Sequence, residues 1–181
     1  KVRLLPEERA AIAQVPTTDV EAYTNYLRGM ELYRMHAKTS LSRAMRLFDR
    51  AIELDPGFAR AYAGKANCMA VLKSVHGVDI PIEAILAVTD RALAIDPALA
   101  DAYGARGQAL GVVDRREEAV ENFERALTLD PNYAAAYLGR GMVHRQKQQA
   151  LPAFNDFNKA IAIRPDNAQA YYNRGLLYQS Q

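Results

Sequence analysis

The chain has 181 residues, half of them apolar, and its 23 basic and 21 acidic side chains leave a formal net charge of +2. That balance gives no electrostatic basis for nucleic-acid binding, and no apolar run approaches the ~18 residues a membrane helix needs. Cys68 is the only cysteine, which excludes an intramolecular disulfide and is compatible with a reducing compartment.

Residues 1–17 read as a flanking segment. Pro6 with Glu7 and Glu8 behind it suits a helix start, so a short helix is expected over 6–14, broken at Val15-Pro16. A chain that begins at Lys1, with no apolar signal core after it, reads as a piece of a longer protein. Thr18 and Glu21 have the spacing of a capping box, which predicts a helix over 19–36.

From there one pattern recurs, read as units at 18–58, 59–99, 100–133, 134–167 and a partial unit at 168–181. The third and fourth are regular. Ala102-Tyr103-Gly104-Ala105-Arg106-Gly107 is answered by Ala136-Tyr137-Leu138-Gly139-Arg140-Gly141, with the closing glycines 34 residues apart, and Ala119, Phe123 and Pro131 by Ala153, Phe157 and Pro165. Tyr103 and Gly107 are four apart and share a helix face. Gly107 lets a second helix approach, and Ala119, Phe123 and Ala126 line one face of that helix. Asp130-Pro131 ends it. One such pair cannot bury its apolar face alone, so neighbours must stack.

The first unit carries Arg28-Gly29, Ala44, Phe48 and Pro56. Three extra residues fall around 37–42, with Thr39 or Ser40 expected as a cap. The second unit is irregular: Ala66 replaces the glycine, Thr89 replaces the phenylalanine, and seven extra residues fall within 73–81. Gly77 supplies turn chemistry there and Pro81 starts the next helix, so weaker packing and a protruding loop are expected. The fifth unit repeats Arg174-Gly175 and stops at Gln181. The ending reads either as a single helix covering the last core face or as a truncated array; Tyr171, Tyr172, Leu176, Leu177 and Tyr178 make it apolar on more than one side, which favours the truncated array, whose uncovered end would be a self-association site.

The period of 34, the tyrosine and glycine of each first helix, the Ala-x-x-x-Phe of each second helix and the late proline resemble the tetratricopeptide repeat (TPR) family from about Asp19 onward. The resemblance implies an all-α, right-handed superhelical solenoid of antiparallel helix pairs acting as a protein–protein interaction module. A second likeness lies in Pro16–Tyr23 and Tyr26-Leu27-Arg28-Gly29, similar to the TPR region of bacterial multidomain adenylate-cyclase/TolB-like regulatory proteins. It implies a bacterial, cytoplasmic sensor or scaffold.

In the TPR family the first helices line the concave side. The resemblance places Tyr26, Met30, Tyr33, Ala63, Asn67, Gly104, Gln108, Leu138, Met142, Arg145, Tyr172 and Leu176 in that groove. Such a surface suits a peptide or amphipathic helix of a protein partner. The alternatives are a groove filled by the N-terminal helix or a second copy, and a homo-oligomer formed through the C-terminal partial repeat. Asn67 matches one position of the family's carboxylate clamp, but Ala63 stands where its lysine should be, so chaperone binding is not carried over. Gly104 admits two readings: close approach of a ligand backbone, or tolerance within a well-supported repeat. Arg28, Lys65, Arg106, Arg140 and Arg174 recur at one position, read as long stems with rim heads paired by nearby acids rather than as a ladder for an acidic partner.

No catalytic constellation is found. His36, His76 and His144 lack ligand spacing to each other or to Cys68. His144 reads as a packing residue, His76 as a solvated loop residue, and Cys68 as a small buried hydrophobe. The acids at 117, 118, 121 and 124 read as a solvated helix face. The expectation is a non-enzyme without metal or cofactor.

Overall fold

The computed structural model describes residues 17–179; the helix expected over 6–14 lies outside them. The described residues form nine helices and no strand. They are α1 (Val20–Arg34), α2 (Lys38–Leu54), α3 (Ala59–Ser74), α4 (Ile82–Ile95), α5 (Ala100–Val112), α6 (Arg116–Leu129), α7 (Ala134–Gln146), α8 (Ala150–Ile163) and α9 (Ala168–Gln179). Each odd-numbered helix up to α7 packs on the even-numbered helix after it and on the next odd-numbered one. The result is an all-α solenoid.

Turn chemistry explains the period. Asp55, Asp96 and Asp130 end their helices in extended backbone. Each carboxylate then accepts the backbone N–H two residues on, from Gly57 (2.8 Å), Ala98 (3.0 Å) and Asn132 (2.9 Å). This is an Asx turn built around the proline. Two expected caps are corrected. Asp19, not Thr18, caps α1, accepting from the Ala22 N–H at 2.8 Å, while Glu21 is drawn away to Arg50. Helix α2 begins at Lys38 after Ala37 and has no side-chain cap, so neither Thr39 nor Ser40 serves.

The core is set by phenylalanines seated on glycines. A Cβ placed on Gly29 would lie 2.7 Å from the Phe48 ring, and one on Gly64, in the next repeat, would also lie 2.7 Å from it. Phe123 sits in the same way between Gly107 and Gly139, and Phe157 lies on Gly141. These three rings are fully buried or nearly so. The second repeat keeps the arrangement at smaller scale. Thr89, wholly buried with its hydroxyl donating to the Leu86 carbonyl, stands in the phenylalanine register. Ala66 and Ala105, also wholly buried, stand in the registers of the two glycines. These smaller side chains are nonetheless wholly shielded from solvent.

This pairing sets the cost of adding a methyl group. Gly139→Ala should destabilise by about 1–3 kcal/mol through overpacking against Phe123, outweighing the ~1 kcal/mol helix preference for alanine. Gly175→Ala, where a Cβ meets nothing within 4 Å, should be neutral or stabilising by up to about 1 kcal/mol. Thr89→Phe should destabilise by a similar overpacking amount and be rescued by adding Ala66→Gly and Ala105→Gly. Urea midpoints of the variants check these outcomes.

The seven-residue insertion folds back instead of protruding. Val78 and Ile80 pack on the cluster of Leu41, Phe48, Cys68 and Leu72. Lys73 Nζ donates to the Ile80 carbonyl (2.7 Å), and Gly77 turns the chain at φ +62°, a left-handed conformation that glycine takes without strain. The ring of His76 is half-buried with Nε2 2.8 Å from the His36 carbonyl oxygen, so that nitrogen is the protonated donor. His76 is therefore docked, not solvated.

Candidate partner-binding groove

The first helices carry two inward series, and the structure treats them differently. Tyr26, Ala63, Gly104 and Leu138 occupy one repeat position. The residue two after the following proline, Phe58, Leu99, Tyr133 or Asn167, stands in register with each. Tyr26 and Phe58 rings lie 5.0 Å apart, Ala63 clusters with Leu99, and the Tyr133 ring fills the space over Gly104. The sizes compensate. Ala63 and Gly104 are therefore buried between repeats and do not line an open groove. The bare backbone of Gly104 meets Tyr133, not a ligand. Tyr26 is wedged against Phe48 as well as Phe58, and Leu138 packs beside Phe157 and Leu177. Tyr172 is the fifth member of the series and is 67% exposed, with no later turn among the described residues to cover it.

The second series comprises Met30, Asn67, Gln108, Met142 and Leu176, one residue after the glycine register. Met30, Gln108, Met142 and Leu176 are half-buried, and Asn67 is 9% exposed. Gln108 Nε2 donates to Ser74 Oγ (2.8 Å), and Met142 Sδ is met by Gln169 at 3.9 Å. Asn67 has no hydrogen-bond partner among the described residues, although its amide is not sealed from solvent. Tyr33 packs by its ring on the Cys68 and Leu72 cluster and likewise has no hydroxyl partner among them. Arg145 is half-buried, with a buried Nε that lacks a partner.

Sequence reasoning missed Tyr133, whose ring closes over Gly104. Burial raises the Asp101 carboxyl above the usual range, opposed by the Tyr133 hydroxyl and by Arg60. Burial, and then the Asp101 charge, push up the phenols of Tyr26 and Tyr133. For Tyr33 burial acts first, then Cys68 and Asp101. After burial, which acts first on both, Arg164 lowers the pKa of Tyr33 and of His36. The available signal was an aromatic two residues after a repeat proline, opposite a glycine one repeat earlier.

From Lys65 onward the repeated basic residues are paired. Lys65 meets Asp49 (2.6 Å), Arg106 meets Asp90, Arg140 lies 3.9 Å from Glu124, and Arg174 donates to Asn158 (2.8 Å). Each of these partners lies on the preceding second helix. Arg140 also grips buried Asp156 with two hydrogen bonds, Nε to Oδ2 (2.9 Å) and Nη2 to Oδ1 (2.7 Å). His144 is half-buried beside this pair, its Nδ1 2.7 Å from the Gln149 amide oxygen. Cys68 is buried, and burial pushes its thiol up to about 12, the opposite of what a nucleophile needs. Among the described residues no group of three His, Cys, Asp or Glu could hold a metal ion, and no helix is long and apolar enough to cross a membrane.

This geometry, helix pairs stacked at a 34-residue repeat with a concave side of first helices, defines a solenoid class built for binding other proteins. Residues 115–148 and 143–181 match the family model described as TPR repeat. On the period, the fold and that match, the chain is a tetratricopeptide-repeat protein. Solved structures share the fold. A thermophilic TPR protein of Thermus thermophilus is 20% identical over 88% of this chain and 82% of its own, at a TM-score of 0.71. MamA is 23% identical over 79% and 80% (TM-score 0.58), and the first TPR domain of human RPAP3 is 19% identical over 71% and 94% (0.58). No curated protein matches the chain in sequence.

Proposed function

We propose that this protein-interaction module binds a peptide or helix of a partner along its concave side and performs no covalent chemistry. The observation that carries the reading is the unspent hydrogen-bonding capacity on that side: the Asn67 amide and the Tyr33 hydroxyl are held by packing yet bonded to nothing among the described residues. A preformed, rigid polar group at the base of an apolar cleft fixes the register of a bound chain. The groove set on this reading is Met30, Tyr33, Asn67, Gln108, Met142, Arg145 and the flank of Leu176. Twelve-residue peptides selected by display on the immobilised chain should lose at least tenfold in affinity on Asn67→Ala or Met142→Glu. They should be unaffected by Glu121→Lys on the exposed face of α6. Equal affinity across the three variants would defeat the groove reading.

A second reading, self-association through the partial repeat, has its own observation. Gly29, Gly107 and Gly141 each seat a phenylalanine, whereas the matching Gly175 faces open space between exposed Tyr171 and Tyr178. It predicts a solution mass that rises with concentration and falls back to the monomer on Tyr172→Glu or Leu176→Glu. Light scattering over a wide concentration range separates this from the concentration-independent monomer of the groove reading.

A further inference from the structure

We propose that the leading face of α1 is the docking site of residues 4–15 of this same chain, which cover the first repeat as each second helix covers the first helix that follows it. The face is apolar and open. Val20 is 79% exposed, Leu27 49% and Tyr23 40%, and their spacing of i, i+3 and i+7 puts them on one side of the helix. Leu27 stands at a joint position. In the later first helices the same position, two before the glycine register, holds Gly64, Ala105, Gly139 and Asn173, and none of these is exposed. There a first helix receives a side chain of the preceding second helix. Phe48 covers Gly64 so closely that a Cβ on it would lie 2.7 Å from the ring, and Phe123 covers Gly139 in the same way. At α1 the relation is inverted. A leucine stands where the later repeats leave room, so the phenylalanine of a regular preceding unit would overpack it. The cover that fits Leu27 is a helix with small side chains.

Residues 4–15, which lie outside the described residues, have that composition. Ala10, Ala11 and Ala13 stand among Leu4, Leu5, Ile12 and Val15. The tether to α1 is short and fixed. Thr17 is 8% exposed, its Oγ1 donating to Asp55 Oδ2 (2.5 Å) and accepting the Asp19 N–H (3.1 Å). Pro16 prevents one continuous helix from running into α1, and two helices joined by so short a link lie antiparallel as neighbours. A helix over 6–14 is about 14 Å long, enough to span the roughly 10 Å from Val20 to Leu27. Glu7 and Glu8 then fall beside Leu27 and Arg28. The charges agree with this direction. Lys65, Arg106, Arg140 and Arg174 each reach a side chain on the preceding second helix, one residue after Phe48, Thr89, Phe123 or Phe157. Arg28, in the same register, has no partner among the described residues. It shares a surface cleft with Arg43 and Arg46, equally unpaired, and with Glu31. Exposed ion pairs contribute little stability, so the apolar cover carries the docking and the charges set its direction.

The test uses the full chain. Amides over 6–14 should exchange with solvent at least tenfold more slowly than in a free peptide of residues 1–16. Methyl–methyl NMR contacts should join Leu27 and Val20 to residues 4–15 within one molecule. Leu27→Glu, at a half-exposed position, should abolish both signals while exchange in α5–α8 stays unchanged. Arg28→Glu should reduce the protection of 6–14, and adding Glu7→Lys with Glu8→Lys should restore it. Because the contacts in the unaltered chain need no variant, they decide the matter even if a substitution disturbs α1. Contacts seen only between differently labelled molecules would give the face to a second copy and overturn the proposal. Exchange over 6–14 at the free-peptide rate, or protection there that survives Leu27→Glu, would overturn it as well.

Discussion

Phe123→Ala is expected to lower the unfolding free energy by about 3–5 kcal/mol, the range for truncating a fully buried aromatic. The upper half of that range applies here. The ring is 2% exposed, and the walls it leaves behind are Gly107 and Gly139, which have no side chains to swing into the cavity. Helix backbones must move instead, and each is held by its own neighbours. The ring also joins two repeats, so its loss should weaken the coupling between repeats three and four as well as the core itself. Urea denaturation would then show a lower midpoint and a broader transition, and hydrogen exchange in α7–α9 would rise more than in α1–α3. A near-neutral result would mean that the phenylalanine–glycine register is wrong.

The second large effect is at Asp156, the one charged residue among the buried polar side chains of the described residues. Its carboxylate takes both Arg140 hydrogen bonds, and Arg140 is held above its ordinary pKa first by that bonding. Removing one partner of a buried pair typically costs about 3–5 kcal/mol. Asp156→Ala should lie near the low end, about 3 kcal/mol, because the Arg140 side chain keeps 21% exposure and Glu124 remains 3.9 Å away. Asp156→Asn keeps one acceptor and should cost roughly half as much, since a neutral hydrogen bond is about half as strong as a charge-assisted one. Guanidinium would screen the remaining pair, so urea is the denaturant for this comparison. Equal loss in the alanine and asparagine variants would show that the charge itself contributes nothing.

The elements were legible because the turns are local. An Asp-Pro pair needs only its own carboxylate to make an Asx turn, and a phenylalanine four residues after alanine needs only a helix. The paired arginines were legible in kind, since acids are plentiful, though not their fixed offset to the previous second helix. The groove was half legible. First-helix positions such as Ala63 and Gly104 point inward by periodicity, but the residue that covers them comes from the turn leading into the next repeat, and helical period carries no information about it. Tyr133 shows the cost: it lies in a turn, outside every helical pattern, and yet fills the space over Gly104. The inserted segment was misjudged for a similar reason. Val78 and Ile80 read as two apolar residues in a loop, and only the cluster around Leu41 and Cys68 shows why they fold inward. The first cap was misjudged because a stronger competitor was present. Asp19 sits one residue nearer the helix than Thr18, and a carboxylate accepts the free N–H more strongly than a hydroxyl.

The most direct test of the concave groove as the binding surface is a map of side-chain NMR shifts on adding a display-selected peptide to the intact chain. Changes are expected at Met30, Tyr33, Asn67, Gln108 and Met142, with α2, α4 and α6 silent. Changes confined to Tyr171 and Tyr178, or to the second helices, would contradict it.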